Sequence, residues 1–154
     1  MKKLKVTLIF LGATLLFAIG CKNDSKIDSY NLASKSENIL ELEKHVKFFS
    51  EVNSVDYELF NVNGFENKRL STPGASSMDY KIAVQVNKEN LDSWVSGMVN
   101  LKQPHGDLDW IDRIKEKGNW NVNSTPEYYE RKGENVKVIM YRDEGVIFKR
   151  IINE

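Results

Sequence analysis

A chain with a single cysteine, Cys21, forms no disulfide within itself and assembles no multi-thiolate metal site, so its fold rests on packing alone. Histidine is nearly as scarce. Only His45 and His105 are present, and neither stands in a Gly-x-Ser-x-Gly elbow, a His-Glu-x-x-His helix or another placed pairing of nucleophile and base. The one loop rich in small residues, Ser71-Thr72-Pro73-Gly74-Ala75-Ser76-Ser77, lacks both a glycine fingerprint and a following Lys-Ser/Thr pair, so it does not read as a phosphate cradle. No apolar run is long enough to span a bilayer: the longest, Val6 to Gly20, holds about 15 residues where about 20 are needed. Charge of one sign is also missing. The 22 basic and 22 acidic residues cancel, and a sign-mixed surface argues against a nucleic-acid partner.

What is present begins at the N-terminus. Lys2, Lys3 and Lys5 precede the apolar run, which ends in Ala18-Ile19-Gly20-Cys21, the layout of an export signal. The quartet resembles the lipobox of bacterial lipoproteins, with Ala18 where leucine is commoner. The resemblance implies that residues 1–20 are a signal peptide that is removed and that Cys21 becomes an acylated N-terminus, palmitate among its chains. Each buried CH₂ would contribute about 0.8 kcal/mol, so two or more chains hold the protein at the membrane. Lys22 after the cysteine resembles lipoproteins sent to an outer membrane, and lysine followed by the acid Asp24 resembles the surface-export signal of Bacteroidota lipoproteins. The expected location is therefore the cell envelope, at the outer rather than the inner membrane. Loss of the three signal lysines leaves 22 − 3 = 19 basic residues against 22 acidic ones. The processed chain is then weakly acidic.

Residues 21–33 read as the lipidated cysteine and a flexible tether, polar and without period. About 12 such residues reach on the order of 20 Å, enough to hold a domain clear of the headgroups. From 34 to 154 the pattern is that of one small α+β domain, expected to fold as a monomer. Ser34-Lys35-Ser36-Glu37 matches a capping box and starts a helix with the stripe Ile39, Leu42, Val46 and Phe49. Val55 to Val62 alternates as a strand and ends at the turn pair Asn63-Gly64; Phe65 to Leu70 reads as a weak returning arm. Tyr80, Ile82, Val84 and Val86 mark a central strand. Asn87 is placed to cap a second helix with Leu91, Trp94, Val95 and Met98 on one stripe, and Asp107 a third with Leu108, Ile111 and Ile114, stopped at Gly118. Asn119 to Asn123 alternates as a short strand, Tyr128 and Tyr129 begin another, and Val136–Tyr141 with Val146–Ile152 form a hairpin across Arg142 to Gly145. The expected architecture is an antiparallel sheet of four or five strands with two or three helices packed on one face.

Candidate chemistry is thin. His105-Gly106-Asp107-Leu108-Asp109-Trp110-Ile111-Asp112 is the densest polar cluster, but a calcium loop starting at Asp107 wants glycine at position 6 and glutamate at position 12, where Asp112 and Gly118 stand. No metal and no cofactor is expected. Trp94 falls on a buried stripe, whereas Trp110 lies at the edge of its apolar arc and Trp120 is flanked by asparagines. His105, Trp110 and Trp120 are thus the candidate contact residues for a protein or glycan partner, with Asn119, Asn121 and Asp109 as a polar rim. The function expected is a lipid-anchored envelope protein that works by binding rather than catalysis. The alternatives are a small envelope hydrolase using His105 and nearby acids, or an immunity-type inhibitor.

Overall fold

Alternation and continuity in the apolar pattern decide which strands are covered once and which twice. The computed structural model describes residues 25–32, 34–65 and 77–153. The signal, Cys21, the expected arm from 66 to 70 and the small-residue loop from 71 to 76 lie outside them. The described chain runs β1 (Lys26–Asp28), α1 (Lys35–Glu43), β2 (Ser54–Asn61), β3 (Met78–Gln85), α2 (Leu91–Trp94), β4 (Val99–Leu101), α3 (Asp109–Gly118), β5 (Glu127–Glu130), β6 (Asn135–Tyr141) and β7 (Val146–Asn153). The strands form one antiparallel sheet in the order β1-β2-β3-β7-β6-β5-β4.

The α+β class and the antiparallel sheet agree with the sequence; the strand count and the layering do not. The sheet has seven strands rather than four or five, and helices cover both of its faces rather than one. On the first face Tyr57, Leu59, Ile82, Val84, Val138, Met140 and Ile147 pack under Leu42 of α1 and Leu91 and Trp94 of α2. On the second, Ala83, Ile139, Tyr141, Val146 and Phe148 pack under Trp110, Ile111 and Ile114 of α3. The physical reason is visible in β6 and β7, where Val138-Ile139-Met140-Tyr141 and Val146-Ile147-Phe148 are apolar without alternation. Both sides of those strands need cover.

The two additional elements are short. β4 has three residues. β1 lies inside the expected tether: Lys26, Ile27 and Asp28 pair with Phe60, Leu59 and Glu58, and the Asn61 N–H donates to the Ser25 carbonyl at 2.8 Å. Residues 25–32 therefore belong to the domain, with Ile27 against the core and Ser29 buried.

Helix starts follow the sequence more closely than helix ends. The Ser34 hydroxyl accepts from the Glu37 N–H at 3.2 Å, and the Glu37 carboxylate accepts from the Ser34 N–H at 3.0 Å, completing the capping box. α1 nevertheless stops at Glu43, and Val46 and Phe49 extend its stripe in irregular chain. α2 is a single turn after a 3₁₀ turn over Lys88–Asn90; Asn87 does not cap it, and its Oδ1 instead accepts from Asn53 at 3.2 Å. Gly97, at φ 76°, ends that region. Asn119 to Asn123 forms no strand.

Candidate functional site

Every expected contact residue lies on or beside α3, which is 10 residues long and holds its two flanks about 15 Å apart. The Asp107 carboxylate accepts from the Asp109 N–H at 2.7 Å and starts the helix. Trp110 follows at once and is a packing residue, 1 % exposed within the second core. Its indole N–H finds no protein acceptor among the described residues. His105, before the helix, is exposed. Its Nδ1 stands 3.5 Å from the Glu130 carboxylate, too long for a hydrogen bond, and its carbonyl accepts from Lys137 Nζ at 2.6 Å. Beneath it Leu101, Pro104, Leu108 and Tyr128 close a hollow of about 10 Å³, room for no more than a water. His105 and Trp120 are thus at opposite ends of α3 and share no site.

Trp120 is held in a different way. Asn119 ends α3 in the left-handed region at φ 52°, and the Trp120 N–H returns to the Lys115 carbonyl at 3.1 Å. That turn sends the indole back over the helix end, where Nε1–H donates to Asp56 Oδ2 at 2.9 Å and the ring meets Phe148 edge-on at 6.3 Å. Gly118 is needed for this contact rather than for the stop: a Cβ there would sit 1.9 Å from Asp56 Oδ2 and 2.2 Å from Trp120 Nε1. Asp56 also accepts from the buried Ser29 hydroxyl at 3.0 Å, and Ser29 in turn accepts from the Tyr57 N–H at 3.2 Å. Burial raises the Asp56 carboxyl despite the Ser29 and Trp120 donors. Beside it Lys117 bridges Asp28 at 2.6 Å and Glu58 at 3.1 Å, so the end of α3 is tied to both β1 and β2.

The result is a groove of about 280 Å³ between the Trp120 loop and the strand ends, lined by Ser54, Gln85, Asn119, Trp120, Asn121 and Glu144. Its outer wall is fixed by Glu144, whose carboxylate accepts from the N–H groups of Asn123 and Ser124 at 2.8 and 2.9 Å and from the Ser124 hydroxyl. Those donors hold the Glu144 carboxyl down at about 2. The groove offers one half-buried aromatic ring, three side-chain amides, a hydroxyl and the Glu144 carboxylate, a combination that hydrogen-bonds and stacks.

Sequence reasoning singled out Trp120 but missed the residues that place it. Asp56 sits on the strand face opposite Val55 and Tyr57 and gave only a polar alternation signal, and Gly118 read as a helix stop. Lys149 was missed as well. It lies on β7 between the core residues Ile147 and Ile151, paired across the sheet with Ile82 and Val138, and is 6 % exposed with its ammonium 5.3 Å from the Phe49 ring centre. Burial pushes its pKa down to about 8. Its place in the period-two pattern was the available signal. Among the described residues no cluster of three His, Cys, Asp or Glu side chains is arranged to hold a metal ion, and no helix is long and apolar enough to cross a membrane. No family model, curated protein or solved structure matches the chain.

Proposed function

We propose that this is a lipid-anchored protein of the cell envelope, tethered through Cys21 at the outer membrane, that acts by binding a glycan in the groove beside Trp120. The observation that carries the reading is the immobilised indole. Its N–H is committed to Asp56 and its ring packs at a steep angle against Phe148, so the half-exposed ring lining the groove is held in one orientation, next to the amides of Gln85, Asn119 and Asn121. A rigid aromatic surface rimmed by amides suits a polyhydroxylated ring, which stacks its C–H face and hydrogen-bonds its hydroxyls. At about 280 Å³ the groove takes a single sugar residue of a longer chain.

Trp94 and Trp110 are each 1 % exposed, which leaves Trp120 as the indole that responds to a ligand. Titration with oligosaccharides released from the cell envelope should change tryptophan emission in the wild-type protein. Gln85 and Asn121 are exposed, and the Asn121 side-chain carbonyl oxygen accepts from Asn123 at 3.0 Å. Asn121→Ala and Gln85→Ala should each weaken binding about tenfold, the loss of one hydrogen bond, with an unchanged thermal melt. Emission that no envelope glycan alters, or binding indifferent to both changes, contradicts the reading. Mass spectrometry of the membrane-extracted protein should find no residues 1–20 and added acyl mass on Cys21; an unmodified thiol there removes the anchor.

A further inference from the structure

The folded domain begins four residues after Cys21, not a dozen, because Ser25 already accepts the Asn61 N–H and Lys26–Asp28 is an edge strand. Four Cα steps span at most about 14 Å. A domain joined to acyl chains by so short a connection cannot stand clear of the headgroups, and among the described residues those at the Ser25 end of the sheet meet them first. That end carries the exposed apolar side chains suited to do so. Lys26 is paired across the strands with Phe60, so their side chains share one face, and Val62 follows in the turn just past the strand end, its N–H donating to the Ser77 carbonyl at 3.0 Å. Phe60 is 41 % exposed, Val62 50 %, and the Lys26 side chain 58 %. Two exposed hydrophobes beside a lysine that is largely exposed although its Nζ stands 3.6 Å from Asp28, at the point where the chain leaves for its anchor, match the composition of a surface that settles at the boundary of headgroups and acyl chains.

We infer that the sheet end formed by Lys26, Phe60 and Val62 rests on the bilayer, with the phenyl and isopropyl groups at the acyl boundary and the ammonium among the lipid phosphates. The Trp120 groove is then directed away from the membrane. It is lined by Ser54 at the start of β2, whereas Asn61 ends that strand, and seven residue steps separate the two by about 23 Å. This inference rests on the acylation of Cys21 proposed above.

The test uses the full-length acylated protein with one added cysteine, Val62→Cys or Asn121→Cys, labelled with a small fluorophore and placed in phosphatidylethanolamine–phosphatidylglycerol vesicles. Cys21 itself carries lipid and takes no label. Mass spectrometry is done first, so that a protein without acyl mass on Cys21 counts against the anchor and not against the docking surface. For the acylated protein, bromine on the acyl chains should quench the label at 62, at a depth of about 5–10 Å below the surface. The label at 121 should be quenched only by iodide in the water. A label at 62 reached by iodide and not by bromine overturns the inference. So does one shielded from both, since that places protein rather than lipid over Val62.

Discussion

The two ends of the sheet differ in the apolar side chains they leave exposed. At the Ser54 end polar groups are tied to one another: Trp120 to Asp56, Glu144 to Asn123 and Ser124, and Arg142 to Glu127 at 2.8 and 3.0 Å and to Asp92 at 3.0 Å. At the Ser25 end Arg150 holds Asp79 at 2.9 and 3.0 Å and Lys26 stands 3.6 Å from Asp28, yet Phe60 and Val62 beside them are exposed, with no cover from the described chain. A surface whose side chains are already fixed binds a ligand with little ordering cost, and one with exposed apolar side chains is completed by whatever covers it. Stability and exposure should therefore separate along the length of β2.

The largest effect lies in the helix that carries the tied end. Trp110→Ala empties a core aromatic site and should cost about 3–5 kcal/mol in denaturant unfolding, with loss of the Trp120 groove as α3 loosens. Trp110→Phe keeps a ring and deletes an N–H that has no protein acceptor among the described residues, so most of that loss should be avoided. A Trp110→Ala protein of wild-type stability would mean that α3 is not seated as described.

Between the two ends, Lys149→Met should stabilise the protein by about 1–3 kcal/mol at neutral pH, because a buried ammonium is exchanged for an apolar chain of similar length. Its pH dependence fixes the sign. The folded ammonium titrates at about 8 against 10.5 for the unfolded group, so the unfolded chain binds more protons between those values. The penalty is fully present below about pH 8 and fades as pH climbs toward 10.5. Wild-type stability should rise across that window by urea denaturation, and the Met variant should be flatter. Equal slopes would place the Lys149 amine in water.

Gly118→Ala comes next. Helix propensity favours alanine by about 1 kcal/mol, yet the added Cβ displaces the Asp56–Trp120 hydrogen bond, and the net cost should be about 1–2 kcal/mol with a shift in Trp120 emission. A stabilised variant with unchanged emission would show that the indole is not locked. The smallest effect belongs to the Ser25 end: Val62→Ser should change stability by less than about 0.5 kcal/mol, since the side chain is half exposed and leaves no buried cavity. A cost several times larger would mean that Val62 is covered within the protein.

The sequence was most informative where one side of an element is dry and the other wet. β2 and the start of α1 follow the alternation and the capping box closely, whereas β3, although it alternates, is buried on both faces at Ile82, Ala83 and Val84. It was least informative where tertiary context outweighs local pattern. β1 is three residues of a polar stretch that pair because β2 offers an open edge, and β4 is as short. The twice-covered strands carried a signal in Val138–Tyr141 and Val146–Phe148, where the apolar run is continuous, but the expectation of helices on one face passed over it. Within the candidate site, Trp120 was found from its asparagine neighbours, whereas Trp110 was placed at the edge of its helical arc and lies in the core. Asp56 and Gly118 were hidden because their roles arise from a contact between residues 64 positions apart. No local pattern encodes such a contact.

The proposed groove and the proposed membrane-facing surface lie at opposite ends of β2 and are separable by mutation. The decisive measurement is capture of released envelope oligosaccharides by acylated protein in vesicles, comparing wild type with the pair Gln85→Ala and Asn121→Ala and with the pair Phe60→Ser and Val62→Ser. The account predicts that the first pair abolishes capture while the second leaves it at the wild-type level. Capture lost through Phe60 and Val62 and retained without Gln85 and Asn121 would contradict it.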